Sequence, residues 1–393
     1  MQIGESLKIV FKDQFSLNEE PLVVRSPGRV NIIGEHTDYN GGFVLPAAID
    51  KAVYVAATRR NDDSIHLYSV DFAESYSTTI AEMKPTGTWS TYILGVAAQF
   101  CANGFPIGGF NLAIDGDVPI GAGLSSSAAV ECAVAMALNE LFELELERME
   151  LVKLAQKAEH EFAGVKCGIM DQFASVFGKK GYAMKLDCRS LEYEYVPLNL
   201  KGYKLLLLNT NVKHSLASSA YNERREQCEQ GVAWIAEHHP EVKSLRDASM
   251  QMLQEHVLPK DALVYQRCKY VVGEKDRLLE GCEALQRGDL KVLGQKMFET
   301  HYGLSDDYGV SCGELDWLVS YVRDTDVVLG ARMMGGGFGG CTINLVKEDK
   351  IEELVAQLKP AYEAAMGLPL SYYVATIENG TEALSGEVMM IHV

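Results

Sequence analysis

The sequence lacks the features that would place it in a membrane or outside the cell. No stretch approaches the roughly 18 consecutive apolar residues that span a bilayer. The N-terminal stretch MQIGESLKIVFKDQF carries charged side chains where a secretory signal would be apolar. We therefore expect neither a transmembrane segment nor a signal peptide.

Paired cysteines are absent as well. The nine cysteines include no CxxC motif, and their number is odd. This pattern is typical of reduced thiols in a cytoplasmic protein, which is the location we expect. Cys167 lies beside a glycine and near an acidic residue, but no histidine is placed to activate it, so we do not favour it as a nucleophile.

Positive charge is scarce relative to negative charge. Lysine and arginine total 36 against 54 acidic residues, which gives a formal net charge of -18 at pH 7. Such a charge repels phosphate backbones and anionic lipid at long range. The sequence therefore predicts no nucleic-acid partner and no membrane surface.

The length exceeds that of one ordinary domain. At 393 residues and 47% hydrophobic composition, the chain can bury a sizeable core. We predict two domains, residues 1–200 and 201–393, with a soft boundary because no proline-rich linker separates them. No zipper-like heptad pattern is present, so we expect a monomer.

Apolar patterns along the chain mix strands with helices. They predict strands over 53–58, 65–70, 110–114 and 203–208, and helices over 125–142 and 147–162. The first of these helices is apolar on nearly every side, which indicates burial against several neighbours. Because strands and helices do not alternate strictly, we predict an α+β fold rather than a doubly wound sheet.

The run GRVNIIGEHTDYNGG, residues 28–42, concentrates charged and polar chemistry between glycines. It contains Arg29, Glu35, His36 and Asp38, with apolar sequence on both sides. The preceding strand is predicted to end at Val24. We therefore expect these charged side chains to lie on a loop that two buried elements hold in place.

A second run, DGDVPIGAGLSSSAAVECAVAMAL, orders its parts as a strand, a glycine-rich turn and an apolar helix. Glycines let the backbone approach a charged group, and the free N–H groups of the first helical turn point at it. The three serine hydroxyls can donate to phosphate or ligate Mg²⁺. Neither a Walker nor a Rossmann motif fits. A serine N-cap would explain one serine but not three, so the run predicts a phosphate site.

Further candidates lie on either side of the middle of the chain. Asp171, flanked by a glycine and apolar residues, could be a base tuned by burial or a helix-capping aspartate. Glu159 could belong to a solvated helix face, and the spacing of His160 to other histidines does not suit zinc. The run RMMGGGFGGC, residues 332–341, indicates close approach of backbone to a ligand or to another loop.

Together these runs resemble the motifs of the GHMP small-molecule kinases, and the first is similar to that of the galactokinase family. Three further segments, AEHEFAGVKCGIMDQ, NVKHSLASSAYNERREQC and DDYGVSCGELD, resemble that family in the same order. The resemblance implies two α+β domains, the first similar to ribosomal protein S5 domain 2, with an active site in the cleft between them. It also implies ATP-dependent phosphorylation of α-D-galactose at the C1 hydroxyl, with Mg²⁺.

The resemblance also assigns roles to residues. It implies that Asp171 is the base and that Arg29 lies beside it, holding it ionised. The expected sugar-binding residues are Glu35, His36, Asp38, Gly168, Asp171 and Tyr221, and residues 335–340 are expected to line the cleft near the sugar. The expected nucleotide contacts are Gly121, Gly123, Ser125, Ser126 and Ser127, with Ser127 and Glu159 at Mg²⁺ and Trp89 and Tyr92 near the base.

Three alternatives stay open. A sister kinase of the same family would act on N-acetylgalactosamine, arabinose or galacturonate. A galactose sensor would bind ATP and sugar without catalysis. A nucleotide-binding structural protein would lack the sugar site.

Overall fold

The computed structural model describes residues 3–212 and 217–384. Within these residues the strands are β1 (Leu22–Asn31), β2 (Phe43–Val44), β3 (Pro46–Arg59), β4 (Ser64–Ser69), β5 (Glu74–Thr79), β6 (Phe110–Gly116), β7 (Tyr182–Asp187), β8 (Tyr193–Pro197), β9 (Tyr203–Asn209), β10 (Val328–Met333), β11 (Cys341–Lys347), β12 (Ser371–Ala375) and β13 (Glu382–Leu384). The α-helices are α1 (Ile3–Phe15), α2 (Ser90–Ala102), α3 (Ser126–Leu141), α4 (Arg148–Ala158), α5 (Met170–Phe177), α6 (Ala217–Ala236), α7 (Met250–His256), α8 (Ala262–Arg287), α9 (Leu290–Tyr302), α10 (Gly313–Arg323) and α11 (Ile351–Met366).

A six-stranded sheet in the order β13-β1-β3-β6-β4-β5 forms the first layer. Its neighbours are antiparallel except for β4 and β6. Side chains alternate between the two faces of each strand. On β3, Val55 and Ala57 pack with helices α2, α3 and α4, whereas Ala56 packs with Leu7 and Phe11 of α1. Helices therefore cover this sheet on both faces.

A second, antiparallel sheet has the order β10-β11-β9-β12. One face of β9, with Leu206 and Leu208, packs on α10 and α11. Its other face, with Leu205 and Leu207, joins a central cluster that also contains Val30 of β1. The two sheets thus share one core, and the residues near Val30 lie at their junction.

The remaining elements complete the structure around that junction. A small sheet, β2-β7-β8, lies beside it, and β13 returns to pair with β1, with Val23 opposite Leu384. The mixture of sheets and helices confirms the predicted α+β class. The domain boundary near residue 200 stays a prediction. No helix among residues 3–212 and 217–384 is long and apolar enough to cross a membrane.

The structure corrects one prediction about the first charged run. Strand β1 does not end at Val24 but continues to Asn31, and it pairs Arg29 with Ala48 of β3. Pro27 and Gly28 are typical of a strand end, yet the register shifts between Pro27 and Arg29, and this irregularity lets the pairing continue. Arg29 is therefore presented by a strand, not by a loop.

The two predicted helices are confirmed, with one change at the end of the second. Helix α3 buries most of its residues, as its apolar composition predicts. Helix α4 ends at Ala158 and passes into a π-helical turn, Glu159–Ala163, before Gly164 adopts a left-handed conformation with φ 74°. The wider turn carries Glu159, and π-helical turns are frequent at functional sites.

Candidate active site

An ion pair between Arg29 of β1 and Asp171 of α5 forms the centre of the site. Nε of Arg29 donates to Oδ1 of Asp171 at 2.8 Å, and Nη2 donates to Oδ2 at 3.0 Å. The Ser125 hydroxyl also donates to Oδ2, at 2.6 Å. Because these donors come from other elements, the interpretation of Asp171 as a helix cap is wrong.

The guanidinium of Arg29 is a fixed cation. The residue is only 3% exposed, and its Nη1 donates to the carbonyl of Gly123 at 2.6 Å. Burial alone would lower its pKa, but the carboxylates of Asp171 and Glu35 outweigh that effect and raise the pKa of Arg29 above its ordinary value. A guanidinium that stays positively charged and fixed in position therefore lies beside the carboxylate of Asp171.

The glycine and serine run, residues 121–127, bends sharply before α3. Gly121 and Gly123 have φ of 74° and 75°, and Ser125 adopts the same left-handed region with φ 59°. Left-handed backbone is unfavourable for a serine. Ser125 occupies the N-cap position, but its hydroxyl bonds Asp171 rather than the helix. The N-cap interpretation is therefore wrong for this serine, which instead connects the turn to Asp171.

Most of the predicted sugar residues line one narrow cleft. Its walls are Arg29, Glu35, His36, Asp38, Cys167, Met170, Asp171, Tyr221, Gly335 and Gly336. Cys167 and Met170 were not predicted to contact the sugar. Cys167 directly precedes Gly168 in the sequence, and Met170 directly precedes Asp171. The segment NVKHSLASSAYNERREQC supplies Tyr221 from α6, while its residues 213–216 lie outside the described residues.

Gly168 is required for space rather than for backbone freedom. A Cβ atom at this position would lie 1.8 Å from Oδ2 of Asp38, far inside van der Waals contact. The carboxyl of Asp38 therefore packs directly on the backbone of residue 168. Burial, followed by the charge of Asp171, raises the pKa of Asp38 to about 7.

Glu35 ties the first charged run to the glycine run near residue 335. One of its oxygens accepts from Nη2 of Arg332 at 3.2 Å, and the other accepts from the backbone N–H of Gly335. Arg332 is fully buried and also donates to the carbonyls of Ile32 and Met333, at 3.0 Å and 2.6 Å. Arg332 was not predicted as a site residue, and its only signal in the sequence is its position at the start of the glycine run.

His36 lies among aromatic rings at the far side of the cleft. Its ring centroid is 5.2 Å from that of Tyr221 and 5.0 Å from that of Tyr308, and its Nδ1 is 2.7 Å from the Tyr39 hydroxyl. Burial lowers the pKa of His36 to about 3. The imidazole is therefore neutral at physiological pH and can exchange hydrogen bonds without carrying charge.

A wider pocket of about 460 Å³ opens on the other side of the serine run. Four of the predicted nucleotide residues line it, namely Trp89, Tyr92, Ser126 and Ser127, whereas Gly121, Gly123 and Ser125 do not. Phe72, Thr88, Ile120 and Phe162 also line it and were not predicted. Its walls are mainly apolar with a few polar groups, as in sites for small molecules with flat rings.

Ser127 and Glu159 meet at the edge of this pocket. The Ser127 hydroxyl donates to Oε1 of Glu159 at 3.0 Å, and Glu159 is only 8% exposed, so its interpretation as part of a solvated face is wrong. Burial, followed by the charge of Asp171, raises the pKa of Glu159. Hydroxyl and carboxylate oxygens are the donors that Mg²⁺ prefers, and this ion commonly takes one or two protein ligands with phosphate oxygens. The pair therefore fits Mg²⁺.

The structure does not favour His160 as a metal ligand or Cys167 as a nucleophile. The Nε2 of His160 is 2.7 Å from the carbonyl of Cys167, so the ring supports the loop before Gly168. Burial and the charge of Glu159 raise the pKa of the Cys167 thiol well above its ordinary value, which disfavours a thiolate nucleophile. No group of three or more His, Cys, Asp or Glu residues suited to a metal occurs in the described part of the chain.

Comparisons with known proteins agree with this geometry. Residues 91–179 match the family model of the GHMP kinases N terminal domain, residues 10–59 match the galactokinase galactose-binding signature, and residues 282–364 match the GHMP kinases C terminal model.

Whole proteins match over nearly the full chain. A galactokinase of Thermotoga petrophila is 40% identical over 361 residues, 92% of this chain and 99% of that protein. One of Clostridium acetobutylicum is 40% identical over 392 residues, 98% of this chain and 100% of that protein. The crystal structure of Lactococcus lactis galactokinase complexed with galactose matches with a TM-score of 0.93 and 37% identity, covering 97% of this chain and 99% of that one.

Proposed function

Because the chain belongs to the galactokinase family of the GHMP kinases, we propose that it transfers the γ-phosphoryl group of ATP to the C1 hydroxyl of α-D-galactose, giving galactose 1-phosphate and ADP. The family, the kinase class and the two-domain GHMP kinase fold predicted from the motifs are confirmed. The observation that carries the proposal is the Arg29–Asp171 pair, which lines the narrow cleft and is joined through Ser125 to the run that borders the wide pocket.

In the proposed reaction Asp171 takes the proton of the C1 hydroxyl. The sugar oxygen forms a bond to the γ-phosphorus while the bond to the β,γ-bridging oxygen breaks and ADP leaves. Hydrogen bonds from Arg29 and Ser125 fix the position of the carboxyl group that must receive the proton. The buried charge of Arg29 also offsets negative charge on the transferring group, since phosphoryl transfer depends mainly on positioning and charge stabilisation.

Mg²⁺ is part of the proposal. Ser127 and Glu159 would hold the ion, which when bound neutralises charge on the phosphate oxygens. The backbone at Gly121 and Gly123 and the hydroxyl of Ser126 would hold the phosphates, since the run opens helix α3 and the first N–H groups of a helix attract anions. Trp89 and Tyr92 would contact the base.

Recognition of the sugar is assigned to the narrow cleft. Carboxylates accept hydroxyl donors in pairs, and a site built for a particular hydroxyl strongly rejects the epimer that cannot fill it. Glu35, His36, Asp38 and Tyr221 supply such groups, and Gly168 lets Asp38 reach its place.

We further propose that the enzyme is a monomer in the cytoplasm with no nucleic-acid or membrane partner. The sequence has no zipper-like heptad pattern, which supports a monomer. All nine cysteines are free thiols, which supports a reducing compartment. The net charge of -18 argues against nucleic acid and anionic lipid.

The test is ADP release from purified protein with ATP and Mg²⁺, with and without sugar. We expect release that depends on galactose and exceeds that with N-acetylgalactosamine, arabinose or galacturonate. Preference for one of those sugars would instead assign a sister kinase. Binding of galactose and ATP without any ADP release would indicate a sensor and contradict the proposed reaction.

A further inference from the structure

A fully buried carboxyl group that the proposed reaction does not use lies behind Ser127 and Glu159. Glu131 follows Ser127 by one turn of α3 and is 0% exposed. Its Oε2 accepts a hydrogen bond from Nε2 of Gln172 at 3.0 Å. The same nitrogen donates to Oε2 of Glu159 at 2.6 Å. One amide group therefore bridges the two carboxyl groups.

The orientation of the Gln172 amide is fixed by these two partners. Its NH₂ group has two N–H donors, and each is directed at one carboxyl oxygen. Rotating the amide by half a turn would place its oxygen against two carboxyl groups and lose both hydrogen bonds. Gln172 is itself fully buried, so water cannot replace them.

The amide in turn limits how the side chain of Glu159 can lie. With Oε2 held by Gln172 at 2.6 Å and by the Cys167 thiol at 3.4 Å, the other oxygen, Oε1, accepts from the Ser127 hydroxyl at 3.0 Å. An apolar side chain in place of Glu131 would pack in the interior without the cost of burying a polar group. A carboxyl group there is therefore better explained by the partner that it orients than by packing.

We propose that Glu131 is a positioning residue for the divalent cation, acting through Gln172 to hold Glu159 in its ligating orientation. This inference rests on the proposed function, because the metal site is part of that proposal. Partners behind a metal ligand commonly change metal affinity by about 10- to 100-fold when they are removed. The proposal adds two residues to the metal site that contact neither substrate.

The experiment measures metal binding rather than turnover. Mn²⁺ is titrated into the full-length protein saturated with ADP, and free Mn²⁺ is followed by electron paramagnetic resonance. We expect Glu131→Leu and Gln172→Met each to weaken Mn²⁺ binding by about 10-fold or more. Glu131→Gln should stay within about twofold of the wild type, because its amide oxygen can accept the same hydrogen bond.

Gln99→Leu is the matched control. Gln99 is similarly buried and donates to Glu161 of the same π-helical turn at 2.7 Å, whereas the hydrogen bonds of Ser127 and Glu159 go to other partners. We expect Mn²⁺ binding of this variant to match the wild type. Three further measurements show whether a variant has lost overall stability or structure. They are ADP binding in the presence of EDTA, galactose binding, and the midpoint of unfolding in urea.

The outcomes separate the inference from the proposed function. Unchanged Mn²⁺ affinity in both Glu131→Leu and Gln172→Met would overturn the inference. It would not contradict the proposed metal site at Ser127 and Glu159. Equal losses of Mn²⁺, metal-free ADP and galactose binding would also overturn it, since they indicate a general structural role. If the wild type with ADP bound no Mn²⁺, the metal site itself would fail, and the inference with it.

Discussion

Two charged side chains of the narrow cleft, Arg29 and Glu35, are almost fully buried, whereas in the wide pocket two large apolar side chains face solvent. Arg29 is 3% exposed and Glu35 is 1% exposed, and each has several hydrogen-bond partners. In the wide pocket Phe72 is 48% exposed and Ile120 is 66% exposed. The narrow cleft thus holds Arg29 and Glu35 in fixed hydrogen bonds, whereas the wide pocket presents apolar surface to solvent.

The two pockets should therefore differ in how strictly they select their ligands. A buried polar group that a wrong ligand leaves unpaired costs about 1–3 kcal/mol, so the narrow cleft can reject close analogues. An apolar surface loses affinity gradually as contact area is removed. We therefore expect severe effects of small changes in the narrow cleft and graded effects in the wide pocket.

The largest expected effect is that of Asp171→Asn. The isosteric amide cannot accept the hydroxyl proton, and loss of a general base typically lowers kcat by about 10²- to 10⁴-fold. We expect a loss of about 1,000-fold in kcat with ATP binding retained, measured by ADP release and by calorimetric titration.

The control for that variant is Asp187→Asn, which also disrupts a carboxylate held by an arginine. Asp187 accepts from Arg246 at 3.0 Å and 2.9 Å and lines neither pocket. Near-normal turnover of Asp171→Asn would contradict the assigned base.

The next largest effect is expected for Gly168→Ala. The added Cβ would overlap Oδ2 of Asp38, so the carboxyl group would have to move. A displacement of about 1 Å in a reacting site can lower the rate by about 100-fold. We expect at least that loss in kcat/KM for galactose, measured at saturating ATP.

Gly313→Ala is the matched control, because a Cβ there meets nothing within 4 Å. Both variants should show the same far-ultraviolet circular dichroism. Normal galactose kinetics in Gly168→Ala would show that Asp38 does not need its observed position.

A third prediction uses the pKa of Asp38, which is raised to about 7 in the ligand-free protein. The carboxylate, not the acid, is the form that accepts sugar hydroxyl donors. As pH falls below 7 the protonated form grows, so galactose binding should weaken by up to about tenfold per pH unit. His36 cannot cause this change, because its pKa of about 3 keeps it neutral.

Calorimetric titration of galactose between pH 5.5 and pH 8.5, without nucleotide, measures this dependence. Asp38→Asn should bind weakly with a flat profile. A flat profile in the wild type would contradict the role of Asp38. The contribution of Asp38 to the free energy of unfolding should change in the opposite sense, being greatest below the unfolded pKa near 4 and decreasing as pH rises towards 7.

The smallest effect is expected in the wide pocket, for Trp89→Ala. Stacking of a base on an aromatic ring is worth about 1–3 kcal/mol, so KM for ATP should rise about tenfold with little change in kcat. Trp234→Ala, which removes a half-buried tryptophan at the edge of another cluster, is the control. A loss of more than 100-fold in kcat for Trp89→Ala would contradict the expectation that changes in the wide pocket have only graded effects.

The motifs predicted much of the site because each lies within a short stretch of sequence. The serine run, the acid after the π-helical turn and the charged run near Glu35 each carry their chemistry on adjacent residues. The contact between Glu35 and Arg332 was not predicted, since it joins residues 297 positions apart and depends on the packing of two sheets. The path of β1 through Pro27 was missed because an irregular pairing with β3 overrode the local preference of proline.

The pairing of β1 with β13 also affects how the protein is made. Strand β1 carries Arg29 and lies between β3 and β13, the strand contributed by Glu382–Leu384. Until those residues leave the ribosome, one edge of β1 has no partner and can pair with a strand of another chain. This edge of β1 can therefore close only after a segment far along the chain from it has been made, and incomplete chains that lack the segment are prone to aggregate.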